Sequence, residues 1–171
     1  MFEKVNPSHP DKVADRIAGA MVDLAYANTN NPKVALEVMI GHGECHIIGE
    51  SSYVFGKKDV EEIVERIDGK KNYVDMVIVP QDAHLARNAR RSVCGDNGIF
   101  KGAPVTTEQR NLTRIAEEIY RVYPYDGKYL TVEGTCAICQ SHTGKDREQT
   151  ENVLNEITRL VALGDRDWET R

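Results

Sequence analysis

Apolar residues recur every three or four positions in four segments of the chain, which predicts four amphipathic helices. The first of these segments carries its apolar stripe on Val13, Ile17, Met21 and Leu24. Clusters of Asn, Asp, Gly or Pro follow the segments and indicate where the helices end. The predicted helices are Pro10 to about Ala27, Asp59–Ile67, Thr106 to about Tyr123, and Gln149–Leu163.

Apolar runs between the helices predict β-strands. Gly41-His42-Gly43-Glu44 separates two such runs and is typical of a hairpin. The predicted strands are Lys33–Ile40, His46–Val54, Tyr73–Val79, which Pro80 ends, and a long strand over Lys128–Gln140. This order predicts an α+β fold built from repeated units of mainly antiparallel sheet, with helices on one face.

The pattern is interrupted over residues 80–104, where no period is visible and Asp, Asn, Arg and Gly are frequent. Loops of this length inside a compact domain are uncommon and often functional. We therefore expect a first α/β repeat over residues 1–99, containing this loop, and a second over 100–171. The other sheet face mixes polar residues such as Glu37 and Glu50 with apolar ones, which fits either solvent or a subunit interface.

The composition argues against several classes of function. The chain has 171 residues, 40% hydrophobic and 29% charged, as in ordinary globular proteins. Its net charge of −5 argues against a general nucleic-acid binder, which needs a basic face, but not against a nucleotide pocket. No apolar run approaches a membrane span, and no signal-peptide pattern opens the chain. Cys136 and Cys139 should point to opposite faces of a strand, so we expect reduced thiols and a cytoplasmic protein.

The strongest candidate for chemistry is His9-Pro10-Asp11-Lys12, at the predicted start of the first helix. A helix N-terminus presents unpaired N–H groups and the positive end of the macrodipole, so it favours anions. The histidine can bond a phosphate-side oxygen, the carboxylate can hold Mg²⁺, and the lysine can neutralise phosphate charge. The alternative is a capped and solvated helix start.

Five segments together resemble one family. Ser8–Asp15 resembles the N-terminal signature of S-adenosylmethionine synthetase (methionine adenosyltransferase), in which Gly-His-Pro-Asp-Lys opens the first helix. The other four follow in the family's order, and the resemblance extends to about Ile157. They are Val34–Val38 and Ile48–Ser51, similar to its first two strands, Gly95–Phe100, similar to its Gly-Asp-Gln-Gly stretch, and Asp126–Lys128, similar to its Asp-x-Lys phosphate-binding element.

The resemblance implies a reaction and a site. The sulfur of methionine attacks C5′ of ATP and expels triphosphate, so the site must neutralise the leaving group and align the sulfur. The implied roles cover both tasks. His9 assists departure of the triphosphate, Asp11 ligates Mg²⁺, Asp126 and Lys128 form the polyphosphate-binding element, Glu37 helps to hold K⁺, and Glu50, Gln81 and Asp96 bind the amino-acid part of methionine.

Each of these residues has a plainer interpretation. Asp96 stands between two glycines and is typical of a turn. Glu37 and Glu50 in strands would face solvent, and Lys128 would solvate a turn. The arginines of the long loop would steer a polyphosphate or form a solvated charge run. The order of all five segments favours the functional interpretation.

The chain also departs from the family pattern. Pro7-Ser8 stands where the family has an acidic residue and glycine, and the stretch Gln81–Gly95 is shorter than the family's active-site lid. Nothing matches the glycine-rich stretches of the family's third repeat. We therefore expect a split methionine adenosyltransferase that forms S-adenosylmethionine with release of phosphate and diphosphate. A separately encoded chain, or self-association through a sheet face, would complete it.

Two alternatives stay open. One is a non-catalytic regulatory homologue that binds nucleotide or methionine, or that modulates a full-length synthetase. The departures at Pro7-Ser8 and in the loop favour it. The other is a homologue with a different phosphotransfer or nucleotide-hydrolysing activity. Retention of His9, Asp11, Asp96 and Lys128 favours an enzyme over a pure binding module.

Overall fold

A computed structural model describes residues 1–83, 87, 106–132, 135–141 and 147–163 of the chain. Within these ranges the helices and strands alternate in the order expected of an α+β protein, which confirms the predicted fold class. The helices are α1 (Pro10–Asn28), α2 (Lys57–Asp68), α3 (Thr107–Val122) and α4 (Arg147–Leu163). The strands are β1 (Phe2–Val5), β2 (Val34–Gly41), β3 (Glu44–Ser51), β4 (Tyr73–Pro80), β5 (Gly127–Val132) and β6 (Thr135–Gln140).

Contacts between residues divide the chain into two compact units. One consists of Val13–Lys101, and the other joins Met1–Lys12 to Gly102–Arg171. The predicted repeats over 1–99 and 100–171 stay a prediction. The contact grouping differs from them mainly in the first twelve residues, because β1 pairs with β5 far along the chain.

The unit Val13–Lys101 contains a mixed sheet with the strand order β2-β3-β4. β2 and β3 pair antiparallel as the predicted hairpin, and their turn places His42 and Gly43 in the left-handed region, with φ of 52° and 87°. β4 then runs parallel to β3, and α2 lies between them in the chain. One face of this sheet is buried against α1 and α2. Its core includes Val13, Ile17, Met21, Cys45, Ile47, Val60 and Val64.

The opposite face of this sheet, called the outer face below, mixes charged and apolar side chains. Met39 is 68% exposed, Ile48 59% and Val77 57%. Such a row of exposed apolar side chains is unusual on a surface that only water covers. The outer face consists of Ala35, Glu37, Met39, Glu44, His46, Ile48, Glu50, Tyr73, Asp75, Val77 and Val79.

The second unit contains an antiparallel sheet with the strand order β1-β5-β6. Tyr129 lies at its centre and is fully buried against α3. Burial of each large apolar side chain stabilises such a core by about 1.5–3 kcal/mol. The core includes Leu112, Ile115, Ala116 and Ile119 of α3, with Leu154, Ile157 and Val161 of α4 packed against it.

In this unit one strand was not predicted and one strand prediction was wrong. β1 was not predicted, because four residues with two charged side chains give no clear alternation. The single long strand over Lys128–Gln140 is two antiparallel strands, with Val132 paired to Thr135.

The two cysteines of the CxxC segment lie on opposite faces of β6, as predicted. Cys136 packs against the core, and burial raises its pKa to about 11, whereas Cys139 is exposed. Cys45 is also buried, and this burial, with a smaller effect of Asp68, raises its pKa to about 11. In the described ranges, no helix is both long and apolar enough to cross a membrane.

Candidate functional site

The His9 side chain caps the first helix. α1 begins at Pro10, and the backbone N–H of Asp11 donates to Nδ1 of His9 at 3.2 Å. Proline suits this first helical position, where no partner for its nitrogen is needed. Because Nδ1 accepts this hydrogen bond, the geometry assigns the ring proton to Nε2. The His9 ring, 16% exposed, therefore presents an N–H donor at a helix N-terminus.

The Asp11 carboxylate stands beside this ring and projects into solvent. It is 78% exposed, and its Oδ2 lies 3.7 Å from Nδ1 of His9, too far for a hydrogen bond. A carboxylate in the first turn interacts favourably with the helix macrodipole. Its exposed oxygens leave it able to ligate a cation.

Hydrogen bonds of Asn6, which is 1% exposed, hold the loop before His9 against the turn before β5. Nδ2 of Asn6 donates to the Tyr125 carbonyl at 2.7 Å and to the Tyr129 hydroxyl at 3.3 Å. Oδ1 accepts from the backbone N–H of Ser8 at 3.1 Å, so both ends of the amide are used. The Asn6 backbone N–H also donates to the Gly127 carbonyl at 3.0 Å.

Tyr129 and Gln140 continue these hydrogen bonds into the sheet. The Tyr129 hydroxyl donates to Oε1 of Gln140 at 2.6 Å, and burial raises the Tyr129 pKa. Nε2 of Gln140 then contacts backbone carbonyls of Tyr123, Tyr125, Asp126 and Ser141 at 2.8–3.3 Å. We call these three side chains the Asn6–Tyr129–Gln140 network.

Gly127 makes room for this network. A Cβ there would lie 2.3 Å from Oε1 of Gln140, 2.5 Å from the Tyr129 hydroxyl and 2.6 Å from Nδ2 of Asn6. A larger residue would force these side-chain atoms to shift, so the glycine of Asp126-Gly127-Lys128 keeps the network in place. Sequence reasoning missed all three network residues, since each is an ordinary polar residue far from the others in sequence.

Lys128 follows at the start of β5, on the sheet face away from Tyr129. Its Nζ lies 3.1 Å from Oε1 of Glu3, and the side chain is 42% exposed. The Asp126 side chain, just before β5, is exposed. The network thus brings the segment containing His9 and Asp11 against the turn that leads into Asp126 and Lys128.

Glu50 and Gln81 lie together in the other unit. β3 and β4 are parallel, so their carboxyl ends meet at one edge of the sheet. Oε2 of Glu50 accepts from the backbone N–H of Asp82 at 2.8 Å, and the Gln81 N–H donates to the Ser51 carbonyl at 3.3 Å.

Glu37 shares the outer face with Glu50, one row along the sheet. The register pairs Glu50 with Ala35 and Glu37 with Ile48, which makes the two carboxylates diagonal neighbours on adjacent strands. Asp96, predicted to bind methionine, lies outside the described residues.

His46 forms a charged cluster that sequence reasoning did not assign. Its Nε2 donates to Oε2 of Glu44 at 2.9 Å, and its Nδ1 lies 3.6 Å from Oδ2 of Asp75. The hydrogen bond to Glu44 raises the His46 pKa above its ordinary value, with a smaller contribution from Asp75. A cleft of about 420 Å³ adjoins this cluster and contains none of the predicted site residues.

The predicted metal ligands, Asp11 and Glu37, are each a single carboxylate. Among the described residues, no group of three or more His, Cys, Asp or Glu side chains converges as a metal site. Asp11 and Glu37 can each offer one carboxylate, and any ion held there must take its other ligands from substrate, water or residues elsewhere.

Residues 1–83 match the family model described as "S-adenosylmethionine synthetase, N-terminal domain". The chain is 39% identical over 134 residues to S-adenosylmethionine synthase of Parabacteroides distasonis, covering 68% of this chain and 31% of that protein. It is 36% identical over 126 residues to the enzyme of the same name from Porphyromonas gingivalis, covering 64% and 29%. It is 27% identical over 144 residues to that of Cereibacter sphaeroides, covering 67% and 37%.

Fold and motif together define the class, an α+β protein with a His-Pro-Asp-Lys segment at the start of a helix. With the matches above, residues 1–83 belong to the S-adenosylmethionine synthetase family as its N-terminal domain. The chain spans about a third of the length of these relatives, 29–37%.

Proposed function

We propose that this chain contributes part of a methionine adenosyltransferase site that forms S-adenosylmethionine from ATP and methionine. A second polypeptide chain completes the site. In the reaction a C–S bond forms at C5′ of ATP, the bond from C5′ to the triphosphate oxygen breaks, and water cleaves the triphosphate to phosphate and diphosphate. The single observation that carries the proposal is the match of residues 1–83 to the family, which includes His-Pro-Asp-Lys at the helix start.

The leaving-group side of this reaction involves His9, Asp126 and Lys128. His9 presents Nε2–H beside the unpaired N–H groups of α1, a donor set suited to a phosphate-side oxygen. Lys128 adds a mobile positive charge, since its ion pair with Glu3 is half-exposed and surface pairs of this kind are weak. These groups neutralise charge that develops as the triphosphate departs.

Mg²⁺ fits Asp11 as one ligand among several. This ion prefers octahedral oxygen ligands and is commonly held by one or two carboxylates together with substrate phosphates and water. Asp11 offers exposed oxygens next to the anion-binding helix start, and in the described residues it belongs to no group of three or more converging ligand side chains. When bound, the ion would neutralise polyphosphate charge.

The methionine side involves Glu50, Gln81 and Asp96. Glu50 offers a carboxylate for the substrate ammonium at the sheet edge it shares with Gln81. Glu37, on the same face, is the proposed ligand of K⁺. Its register partner Ile48 and the next residue in that row, Val77, are apolar, so the remaining oxygen ligands of this ion come from elsewhere.

The outer face supports the proposal of a partner. Its exposed Met39, Ile48, Val77 and Val79 form an apolar patch beside Glu37 and Glu50. A partner chain, or a second copy, that covers this patch would bury apolar area and bring its own groups next to the two carboxylates.

The direct test is to measure S-adenosylmethionine formation from ATP, methionine, Mg²⁺ and K⁺. The chain is assayed alone and after co-expression with the product of a neighbouring gene that carries the family's glycine-rich stretches. We expect product only from the co-expressed sample. Product from the chain alone would contradict the need for a partner, and no product from either folded sample would contradict the enzyme.

Asp11→Asn should lower the Mg²⁺-dependent rate of the active complex at least tenfold, because an amide carries no charge for the ion. The rate is measured against Mg²⁺ concentration. Asp23→Asn, an exposed change on the same helix, is the matched control and should leave the rate within a factor of two. Full activity of the Asp11→Asn complex would rule out the proposed metal ligand.

A second candidate is a non-catalytic, methionine- or nucleotide-binding homologue. Ser8 favours it, because this residue replaces the family's glycine and is used structurally: its Oγ donates to the Pro124 carbonyl at 3.2 Å and shares a hydrogen bond of 3.3 Å with the Tyr120 hydroxyl. Binding of ATP or methionine without turnover in any reconstituted sample would support this candidate.

A further inference from the structure

We propose that the Asn6–Tyr129–Gln140 network is a positioning device that sets the orientation and tautomer of the His9 imidazole. Its consequence for polyphosphate binding rests on the proposed function. The effect on the ring itself does not.

The network acts on His9 through a short backbone segment. Asn6 holds the Ser8 N–H with its Oδ1, and the Asn6 carbonyl accepts from the His9 N–H at 3.1 Å. Asn6 therefore holds two successive backbone N–H groups, that of Ser8 through its side-chain oxygen and that of His9 through its backbone carbonyl. The ring can then reach the Asp11 N–H only from the position that this segment allows.

The hydrogen bonds of the network run in one direction. Nδ2 of Asn6 donates to the Tyr129 hydroxyl, which donates to Oε1 of Gln140, whose Nε2 donates to carbonyls of the turn before β5. Each group has its donor and acceptor roles fixed by the next, so no amide can flip without losing partners. A chain of this kind specifies a single geometry for the His9 segment.

Burial of the network makes the loss of any one hydrogen-bond partner costly. Asn6 is 1% exposed and Tyr129 is 0% exposed, so water cannot replace a lost partner at little cost. Removing the Tyr129 hydroxyl leaves the Asn6 amide with only the Tyr125 carbonyl as acceptor, and the segment gains freedom. The Asp11 N–H contact to Nδ1 then weakens, and the ring samples both neutral tautomers.

The test compares two substitutions on the same face of β5. Tyr129→Phe removes the network hydroxyl. Thr131→Val removes another fully buried hydroxyl, whose Oγ1 accepts from the Phe2 N–H at 3.1 Å but which is not part of the network. Each protein is studied as the full chain, with thermal unfolding recorded to confirm the fold. Gln140→Met, a change at a half-buried position, is a second network variant in case Tyr129→Phe does not fold.

The first readout is the tautomer of His9, from ¹⁵N–¹H spectra at a pH where the ring is neutral, with His9→Gln used to assign its signals. We expect the Nε2–H form in the native chain and in Thr131→Val, and a mixture in Tyr129→Phe and Gln140→Met. The second readout is the affinity for inorganic tripolyphosphate with Mg²⁺. This affinity should fall about tenfold or more in the network variants only, because losses of this size are typical when a group that orients a ligand-binding residue is removed.

The outcomes separate the two proposals. A changed tautomer in the network variants supports the positioning role. If the native chain binds no tripolyphosphate, that result counts against the proposed function and leaves the positioning role unaffected. An unchanged tautomer in both network variants overturns the positioning role. Equal changes in Thr131→Val also overturn it, because they would reflect general destabilisation.

Discussion

At the scale of single residues, His46 lies in a distinctly acidic environment. It lies on the outer face between Glu44 and Asp75, with Met39 as its register partner on β2. A protonated ring interacts favourably with both carboxylates, and the contact of 2.9 Å to Glu44 is the closer one. The ring therefore carries a charge-dependent interaction on a surface proposed to meet a partner.

We expect the His46 pKa to lie above 6.5, the value from which Glu44 raises it. Because the folded pKa is the higher one, the stabilising interaction is fully present below the unfolded pKa and is lost as pH rises through the folded pKa. An NMR titration of the ring measures this midpoint. Glu44→Gln should lower it more than Asp75→Asn does, and the reverse order would contradict the assigned cause.

At this scale, sequence reasoning succeeded where the cause is local. His9-Pro10-Asp11 predicts a helix start because capping involves only neighbouring residues, and His9 does cap α1. The Asn6–Tyr129–Gln140 network could not be predicted, since Asn6 and Tyr129 are 123 positions apart. Asn6, Tyr129 and Gln140 become a network only once the strands have a register.

At the scale of elements, α3 illustrates how a helix start is specified. The Thr106 side chain accepts from the Gln109 N–H, and the Gln109 side chain accepts from the Thr106 N–H, each at 3.1 Å. This capping box satisfies two backbone donors that would otherwise lack partners. The predicted start at Thr106 is therefore confirmed by geometry, to within a residue.

Thr106→Ala should lower the free energy of unfolding by about 1 kcal/mol, the usual effect of losing a capping hydroxyl. Urea unfolding followed by circular dichroism measures the change. Thr107→Ala is the matched control: its Oγ1 only accepts from the Arg110 side chain at an exposed site, so the change should stay within about 0.5 kcal/mol. A loss at Thr107 equal to that at Thr106 would contradict the role of the cap.

The elements that sequence reasoning predicted best are those whose signal is periodic. The four helices of the described ranges follow from apolar spacing, and the β2–β3 hairpin follows from its turn residues. β1 and the break between β5 and β6 were not predicted, because the strands they pair with, and not their own residues, determine where they form. Phe2 pairs with Thr131, and no local pattern in Phe2–Val5 indicates that partner.

At the scale of the whole molecule, the outer face is notable for its exposed apolar side chains. β4 contributes Val77 and Val79 to it, 57% and 53% exposed, next to Ile48 of β3. Residues of this type usually point inward in a β-strand, so their outward position indicates a surface suited to association.

Val77→Lys should prevent association with the proposed partner, or with a second copy, because a partner would have to bury its charge. Sedimentation velocity and co-purification measure association. Val54→Lys is the matched control, at a valine that is 89% exposed and lies outside the sheets. Association unchanged by Val77→Lys would exclude the outer face as the interface.

The long-range pairing of β1 has a consequence for how the chain is made. Its register partners Lys128–Thr131 leave the ribosome more than a hundred residues after β1 does. The hairpin β2–β3 and strand β4 can pair as they emerge, whereas β1 must wait, and closing so long a loop carries an entropic penalty that grows only slowly with length. The His9 segment therefore reaches its final geometry late in synthesis, and a nascent chain stalled before Asp126 would expose the family's signature residues without the turn that orients them.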